Sequence, residues 1–154
     1  MNRMNSISDA PLNHKEIEQR LPHAGTMSLL HEVIEADKNS LTALATSHLE
    51  TNNPLRLNGK IATVNGIEYA AQAMAIHGSL LSDISPAGYI AAVRNIDINV
   101  PFFPETDAPL LIEVQRLMSD KNGFSYQFYI NCEQISLISG KITVFLTQGS
   151  NLTP

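Results

Sequence analysis

Glu68 and Gln72 are the residues of this chain whose spacing most invites chemistry. They stand four apart in "NGIEYAAQAMAIHG" (residues 65–78), so on a helix they share one face and can touch the same group. Eight of the ten residues from Ile67 to Ile76 are apolar. A helix apolar nearly all round is expected inside a core, where a carboxylate is paired, neutralised or used. A carboxyl kept partly protonated by its surroundings can act as a general acid near neutral pH. The structural alternative is a capping box, with Asn65 as N-cap and Glu68 folded back onto the backbone amides. Gln72 either touches whatever Glu68 touches or is a buried amide satisfied by backbone.

A base to accompany the acid is sought among the histidines. His48 is expected to end a strand just before a loop, either as a base or as a strand-end residue facing water. His23, in "LPH", reads as a residue of the turn that ends a helix. His77 is expected at the exposed end of the long helix, and His14 and His31 at the surface. No His, Cys, Asp and Glu set has metal-ligand spacing. There is also no glycine-rich phosphate loop and no Gly-x-Ser-x-Gly elbow, so neither metal nor cofactor is expected. Arg56, Lys60 and Arg94 read singly as solvated charges, or together as cations that favour an acidic partner.

The bulk of the sequence narrows the class. At 154 residues it is one domain with room for a core, and 16% charged residues suit a globular chain. A net charge of −5 and scattered basic residues argue against nucleic acid. The lone Cys132 excludes an internal disulfide and fits a reducing compartment. No stretch is apolar enough for a membrane span or a leader peptide, so a cytoplasmic location is expected.

The elements that must hold these residues follow from pattern. Asn13 is a cap for a short helix with Ile17 and Leu21 on one side, ended by Pro22. "MSLLHEVIEA" and "SLTALATSHL" read as strands joined by the turn "DKNS". A loop, "ETNNPLRLNGK", leads to the long helix. Next come a strand in "GYIAAVRNIDINV", a proline-bounded connection, and the strands "LLIEVQRLM" and "FSYQFYINC". Asn122-Gly123 between those two is a hairpin signal. Phe124, Tyr126, Phe128 and Ile130 alternate with polar positions, the period of a sheet with one buried face. "ISGKITVFLT" is the last strand. The reading is an α+β hot-dog fold, a curved antiparallel sheet wrapped around one long buried helix. It spans residues 13–148, with a loose arm at 1–12 and a tail at 149–154. So thin a sheet is expected to extend across a partner.

"LPHAGTMSLLHEV", "NPLRLNGK", "GIEYAAQAM" and "GYIAAVRNI", in that order, resemble the β-hydroxyacyl-ACP dehydratases, above all the dehydratase-like subunits of bacterial aryl polyene clusters. The resemblance runs from about Glu16 to Leu146. It implies removal of water from a β-hydroxyacyl thioester carried on the phosphopantetheine of acyl carrier protein. In that family a histidine takes the α-proton and a helix acid protonates the departing hydroxyl, the two coming from different protomers. The helix acid corresponds to Glu68, and amides around Thr63 to Gly66 would polarise the thioester carbonyl. His23 corresponds to a position near the tunnel, with Gln72 and Arg56 as further substrate contacts. Met27, Leu29, Tyr69, Met74 and Phe103 are candidates to line the tunnel. Aligned without gaps, the family's loop histidine falls at Pro54.

Three readings follow. The chain is a homodimeric dehydratase with Glu68 as acid and His48 as base. Or it pairs with a second hot-dog subunit that supplies the missing histidine, the reading preferred here. Or it is a hot-dog thioesterase or a non-catalytic scaffold, with Glu68 activating water or capping the helix.

Overall fold

A computed structural model describes residues 11–21, 28–82 and 88–146. Asn13 caps helix α1 (His14–Arg20) as expected. Its side chain accepts from the Glu16 N–H, and Glu16 accepts from the Asn13 N–H, a complete capping box. Ile17 is the buried face of that turn. Pro22, His23 and Met27, expected at the helix end and near the tunnel, lie outside the described residues.

The strands are β1 (Glu32–Ala36), β2 (Ser40–Ala45), β3 (Gly88–Ile98), β4 (Leu110–Asp120), β5 (Gly123–Cys132) and β6 (Ile135–Leu146). They form one antiparallel sheet in the order β1-β2-β4-β5-β6-β3. Helix α2 (Gly66–Ser82) lies against β2, β4 and β5, which is the hot-dog arrangement. Tyr126, Phe128 and Ile130 of β5 point into the core, with Gln127 and Tyr129 on the other face. The β1–β2 turn is closed by Asp37, whose carboxylate accepts from the N–H of Asn39 and Ser40.

The hairpin between β4 and β5 forms, though not by the turn that Asn122-Gly123 suggests. Lys121 and Asn122 are the turn residues, and neither has a positive φ. The Asp120 carboxylate instead accepts from the N–H of Asn122 and Gly123. Gly123 starts β5, where its backbone lies against that of β6. The turn between β5 and β6 has the opposite chemistry. Glu133 and Gln134 both sit in the left-handed region, with φ of 50° and 68°.

The two sheet edges differ. β1 is five residues long, bulged between Val33 and Glu35, and covered at Val33 by two hydrogen bonds with Leu12. β3 runs for eleven residues and has no strand on its outer side among the described residues. Ile90, Val93 and Ile98 are exposed along it. A long apolar edge of this kind is a template for another strand.

Three expectations are corrected. His48 does not end a strand; β2 stops at Ala45, and His48 lies in a 3-10 turn (Ser47–Leu49), buried rather than facing water. His77 is not at an exposed helix end but fully buried. Finally, α2 is not buried all round. Tyr69, Ala70, Ala73, Met74 and Ile76 are in the core, while Val64 and Ala75 are exposed and Ile67, Glu68, Ala71 and Gln72 are half-buried. The steps from 64 through 67, 68, 71 and 72 to 75 trace one helix face. One sheet can cover only one side of a helix, so this apolar-looking face awaits a second layer.

Candidate active site

Glu68 lies on that uncovered face, in the first turn of α2. Asn65 does not cap the helix. It belongs to the 3-10 turn Thr63–Asn65 that feeds it, and its N–H donates to the Ala62 carbonyl at 3.0 Å. The Glu68 carboxyl has no hydrogen-bond or ion-pair partner among the described residues. The capping-box alternative therefore has no geometry behind it, and the carboxyl is left facing the open side.

The amides beside it are mostly engaged. Thr63 N–H donates to the Pro101 carbonyl, and Gly66 N–H to the Thr63 and Val64 carbonyls. Val64 is the residue of this turn whose N–H has no backbone acceptor among the described residues. The amides expected to polarise a carbonyl thus narrow to Val64, at the positive end of a seventeen-residue helix.

One turn along, the Gln72 amide oxygen accepts from the Leu29 N–H at 2.8 Å. Gln72 thus shares the face of Glu68 and is held by backbone. Tyr69 points the other way, into a hub of side chains. Ser47 Oγ donates to the Leu29 carbonyl at 2.8 Å, so its proton is committed. The Tyr69 hydroxyl, 2.9 Å away, must therefore donate to Ser47 Oγ, and it accepts from Asn53 Nδ2 at 3.2 Å. Burial pushes the Tyr69 phenol up from its ordinary value, which keeps that proton in place.

The loop from Ser47 to Lys60 is bonded to itself. Asn53 Nδ2 also donates to the Ser47 carbonyl, and Asn53 Oδ1 accepts from the Leu55 N–H across exposed Pro54. Arg56 reaches the carbonyls of His48, Glu50 and Gly59 at 2.6 to 3.2 Å. Its guanidinium is a clamp on this loop. Lys60 lies over the Phe102 ring at 4.8 Å, and Arg94 is exposed on β3.

His48 is 4% exposed, and neither ring nitrogen has a hydrogen-bond partner. Its ring meets Phe103 edge-on at 6.3 Å, and Phe103 meets Tyr69 at 5.5 Å. So His48, Phe103 and Tyr69 form one group, with Glu68 on the adjoining helix face. Leu29, Tyr69, Met74 and Phe103, the tunnel candidates, are all core residues here. Among the described residues no three His, Cys, Asp or Glu side chains gather as a metal site. No helix among the described residues is long and apolar enough to cross a membrane.

Sequence reasoning missed a second polar group. His77 Nδ1 is 2.6 Å from the Tyr126 hydroxyl, and Nε2 is 2.7 Å from the Asp37 carbonyl. Arg116 Nε donates to the same hydroxyl at 3.0 Å. The expectation of four alternating apolar core positions in β5 hid the role of Tyr126, and the expectation of an exposed helix end hid that of His77.

Burial holds both His48 and His77 below the usual histidine value of 6.5. The backbone of Ala108, near the His48 ring but outside hydrogen-bond geometry, acts the other way, and the Arg56 charge adds to the lowering. For His77 the Asp37 carbonyl opposes the effect of burial and the Arg116 charge reinforces it. An unfolded chain would take up these protons first as pH falls. Their contribution to stability is therefore complete above about pH 6.5 and is lost below it, by up to about 1.4 kcal/mol per histidine per pH unit. Denaturant unfolding at pH 7.5 and 5.5 should show the loss, and His77→Gln should reduce it. An equal loss in that variant would rule out His77 as a source.

The sequence profile of the ApeP-like family, described as ApeP dehydratase, matches residues 15–153. No curated protein sequence matches the chain. Among solved structures, the dehydratase heterocomplex ApeI:P from Xenorhabdus doucetiae superposes with a TM-score of 0.78 at 22% identity, covering 88% of this chain and 93% of that one. The PaaI protein of the Escherichia coli phenylacetic acid degradation operon matches at 0.56 and 15%, covering 75% and 78%. A hypothetical thioesterase with coenzyme A from Streptococcus pneumoniae matches at 0.54 and 13%, covering 75% and 84%. At such identities these structures establish the fold.

Proposed function

The chain belongs to the ApeP-like dehydratase family, and from that premise we propose that it is the acid-bearing subunit of a 3-hydroxyacyl-[acyl-carrier-protein] dehydratase of aryl polyene biosynthesis. The observation that carries this reading is the Glu68 carboxyl, unpartnered on the one face of α2 that the sheet leaves uncovered. A base removes the α-proton of the thioester, and the electron pair becomes the new double bond. The β-hydroxyl leaves with the proton of Glu68, giving an enoyl thioester and water. The Val64 N–H is placed to polarise the thioester carbonyl as charge builds on it.

The base is assigned to a second hot-dog subunit. The Ser47–Lys60 loop has proline at the position matched to the family's histidine, and the groups around it are bound to one another. The open β3 edge and the uncovered helix face are surfaces such a subunit would fill. The ApeI:P heterocomplex, which this chain resembles in fold, supports a partner of that kind. The substrate chain rides on acyl carrier protein, and the location that fits this chemistry is the cytoplasm. The test is to incubate a 3-hydroxyacyl carrier protein with this chain, with its hot-dog partner, and with the two co-purified. Enoyl product from the pair alone is expected. Activity of this chain alone would overturn the shared site, and a free acid as product would make the protein a thioesterase.

One observation favours a second reading, in which His48 is this chain's own base. A buried imidazole with neither nitrogen paired costs about 1–3 kcal/mol, and sites that tolerate such a cost are often used. His48→Leu separates the two readings. With the base on the partner, the variant pair should keep its kcat while the chain gains about 1 kcal/mol, measured by urea unfolding. Loss of turnover in a chain that folds as well as the parent would transfer the role to His48.

A further inference from the structure

Glu68 and His77 are nine residues apart on α2, and nine steps of about 100° place them on opposite sides of the helix. Glu68 looks out over the uncovered face; His77 is sunk into the sheet. The apolar residues that share the buried side include Ala70, Ala73, Met74, Ile76 and Leu80, which hold the helix by apolar contact that has no preferred direction. Two of them are alanines, which resist rotation of the helix about its axis only weakly. Hydrogen bonds are directional, and His77 makes two.

We propose that His77 is a positioning residue, whose bonds to Tyr126 and Asp37 on the far side of α2 fix the rotation of the helix and so the direction in which Glu68 faces. This rests on the reading of Glu68 as the acid.

The proton order in the group is forced. The Asp37 carbonyl can only accept, so the His77 proton is on Nε2. Arg116 can only donate, so the Tyr126 oxygen accepts from it and sends its own proton to His77 Nδ1. Burial pushes the Tyr126 phenol up from its usual value, so the proton stays available. Arg116 is itself held over the rings of Phe124 and Tyr126, at 5.1 and 5.3 Å. The helix is thereby tied to β5, through it to β4, and through Asp37 to the β1–β2 turn. Tyr69, Gln72 and Ser79 also hold α2, but they reach the loops at Ser47, Asn53 and Leu29 and, through Arg20 at 3.3 Å, helix α1. His77 reaches the sheet itself.

The geometry sets the size of the effect. A carboxyl roughly 6 Å from the helix axis moves by about 1 Å when the helix turns by about 10°. A displacement of about 1 Å at a reacting group can lower a rate about a hundredfold. Replacing both partners with apolar residues of similar shape leaves neither of them unpaired, and the groups that lose a bond, the Asp37 carbonyl and Arg116 Nε, are only part-buried, so His77→Leu with Tyr126→Phe should keep the fold while releasing the rotation.

The test has two readouts. In the pair with its hot-dog subunit, the double variant should lose at least about tenfold in kcat with KM within about twofold. His77→Gln, whose amide can accept from Tyr126 and donate to Asp37, should restore most of it. Should the double variant not fold, Tyr126→Phe alone, which removes one oxygen, carries the same expectation in a smaller degree. Independently of turnover, crystal structures of the parent and of Tyr126→Phe should show the Glu68 carboxyl shifted by about 1 Å or split between two positions. A Glu68 that does not move, or a variant pair with the parent's kcat, would overturn the assignment. If the parent pair itself does not dehydrate, the function proposed above fails, and the crystallographic comparison still decides the role of His77.

Discussion

Glu68→Gln should lower kcat of the co-purified pair by about 10²–10⁴-fold, the usual contribution of a general acid. Glutamine keeps the size and shape of the side chain but has no proton acidic enough to follow a departing hydroxyl. The same change should leave the fold alone. The parent carboxyl accepts no hydrogen bond and joins no ion pair among the described residues, so its removal orphans no partner. Thermal unfolding of the lone chain should therefore shift by less than about 2 °C, the scale of a few tenths of a kcal/mol in a domain of this size. The two measurements separate the two roles. A cap would lose stability and keep turnover; an acid loses turnover and keeps stability. Full turnover by the variant pair would leave the chain as a scaffold.

The largest effect on the fold is expected from Gly123→Ala. A Cβ at this position would stand 2.1 Å from the Val144 carbonyl oxygen and 3.1 Å from the Phe145 Cα. Both are backbone atoms of the neighbouring strand, so no side chain can swing aside. Relief requires β5 and β6 to part at Gly123↔Phe145, beside the turn that Asp120 closes. Overfilling a packed site usually costs about 1–3 kcal/mol, and here the upper end is expected because the obstacle is a ladder. The melting temperature should fall by about 10 °C. Gly59→Ala makes a contrast, since there the strain comes from φ of +79° and nothing lies within 4 Å. A Gly123→Ala chain as stable as the parent would mean that the two strands are not packed as closely as described.

Much of the architecture was legible because it rests on local chemistry. Asn13 with Glu16 announces a helix start, and the alternation from Phe124 to Ile130 announces a half-buried strand. The hairpin at Asn122-Gly123 was placed correctly for the wrong reason. Glycine is needed there for close approach to β6, a contact between residues some twenty positions apart that no dipeptide preference encodes. The turn at Glu133-Gln134 was invisible, because two left-handed residues without glycine or asparagine run against turn statistics. In the candidate site, Glu68 could be picked out as a polar residue in an apolar run. Its exposure could not, since the run looks the same whether a helix is enclosed on all sides or waits for a partner on one. From its place at the end of an element His77 reads as solvent-facing, and His48 reads either as a base or as a strand end facing water. Each is buried by contacts from distant segments, Phe103 over one and Tyr126 and Asp37 around the other. Asn53 reads as ordinary loop polarity and Arg56 as a solvated charge or a substrate contact, and their work of holding carbonyls emerges only when the loop is closed.

The unequal edges of the sheet also bear on how large an assembly can grow. A subunit with two open edges can add neighbours at both ends without limit, and that is how fibres form. Among the described residues this sheet offers one such edge, β3. Once β3 is joined to a strand of another subunit, the edge left at this end is β1, which is short, bulged and already bonded to Leu12. If the other subunit is built on the same plan, growth stops at two.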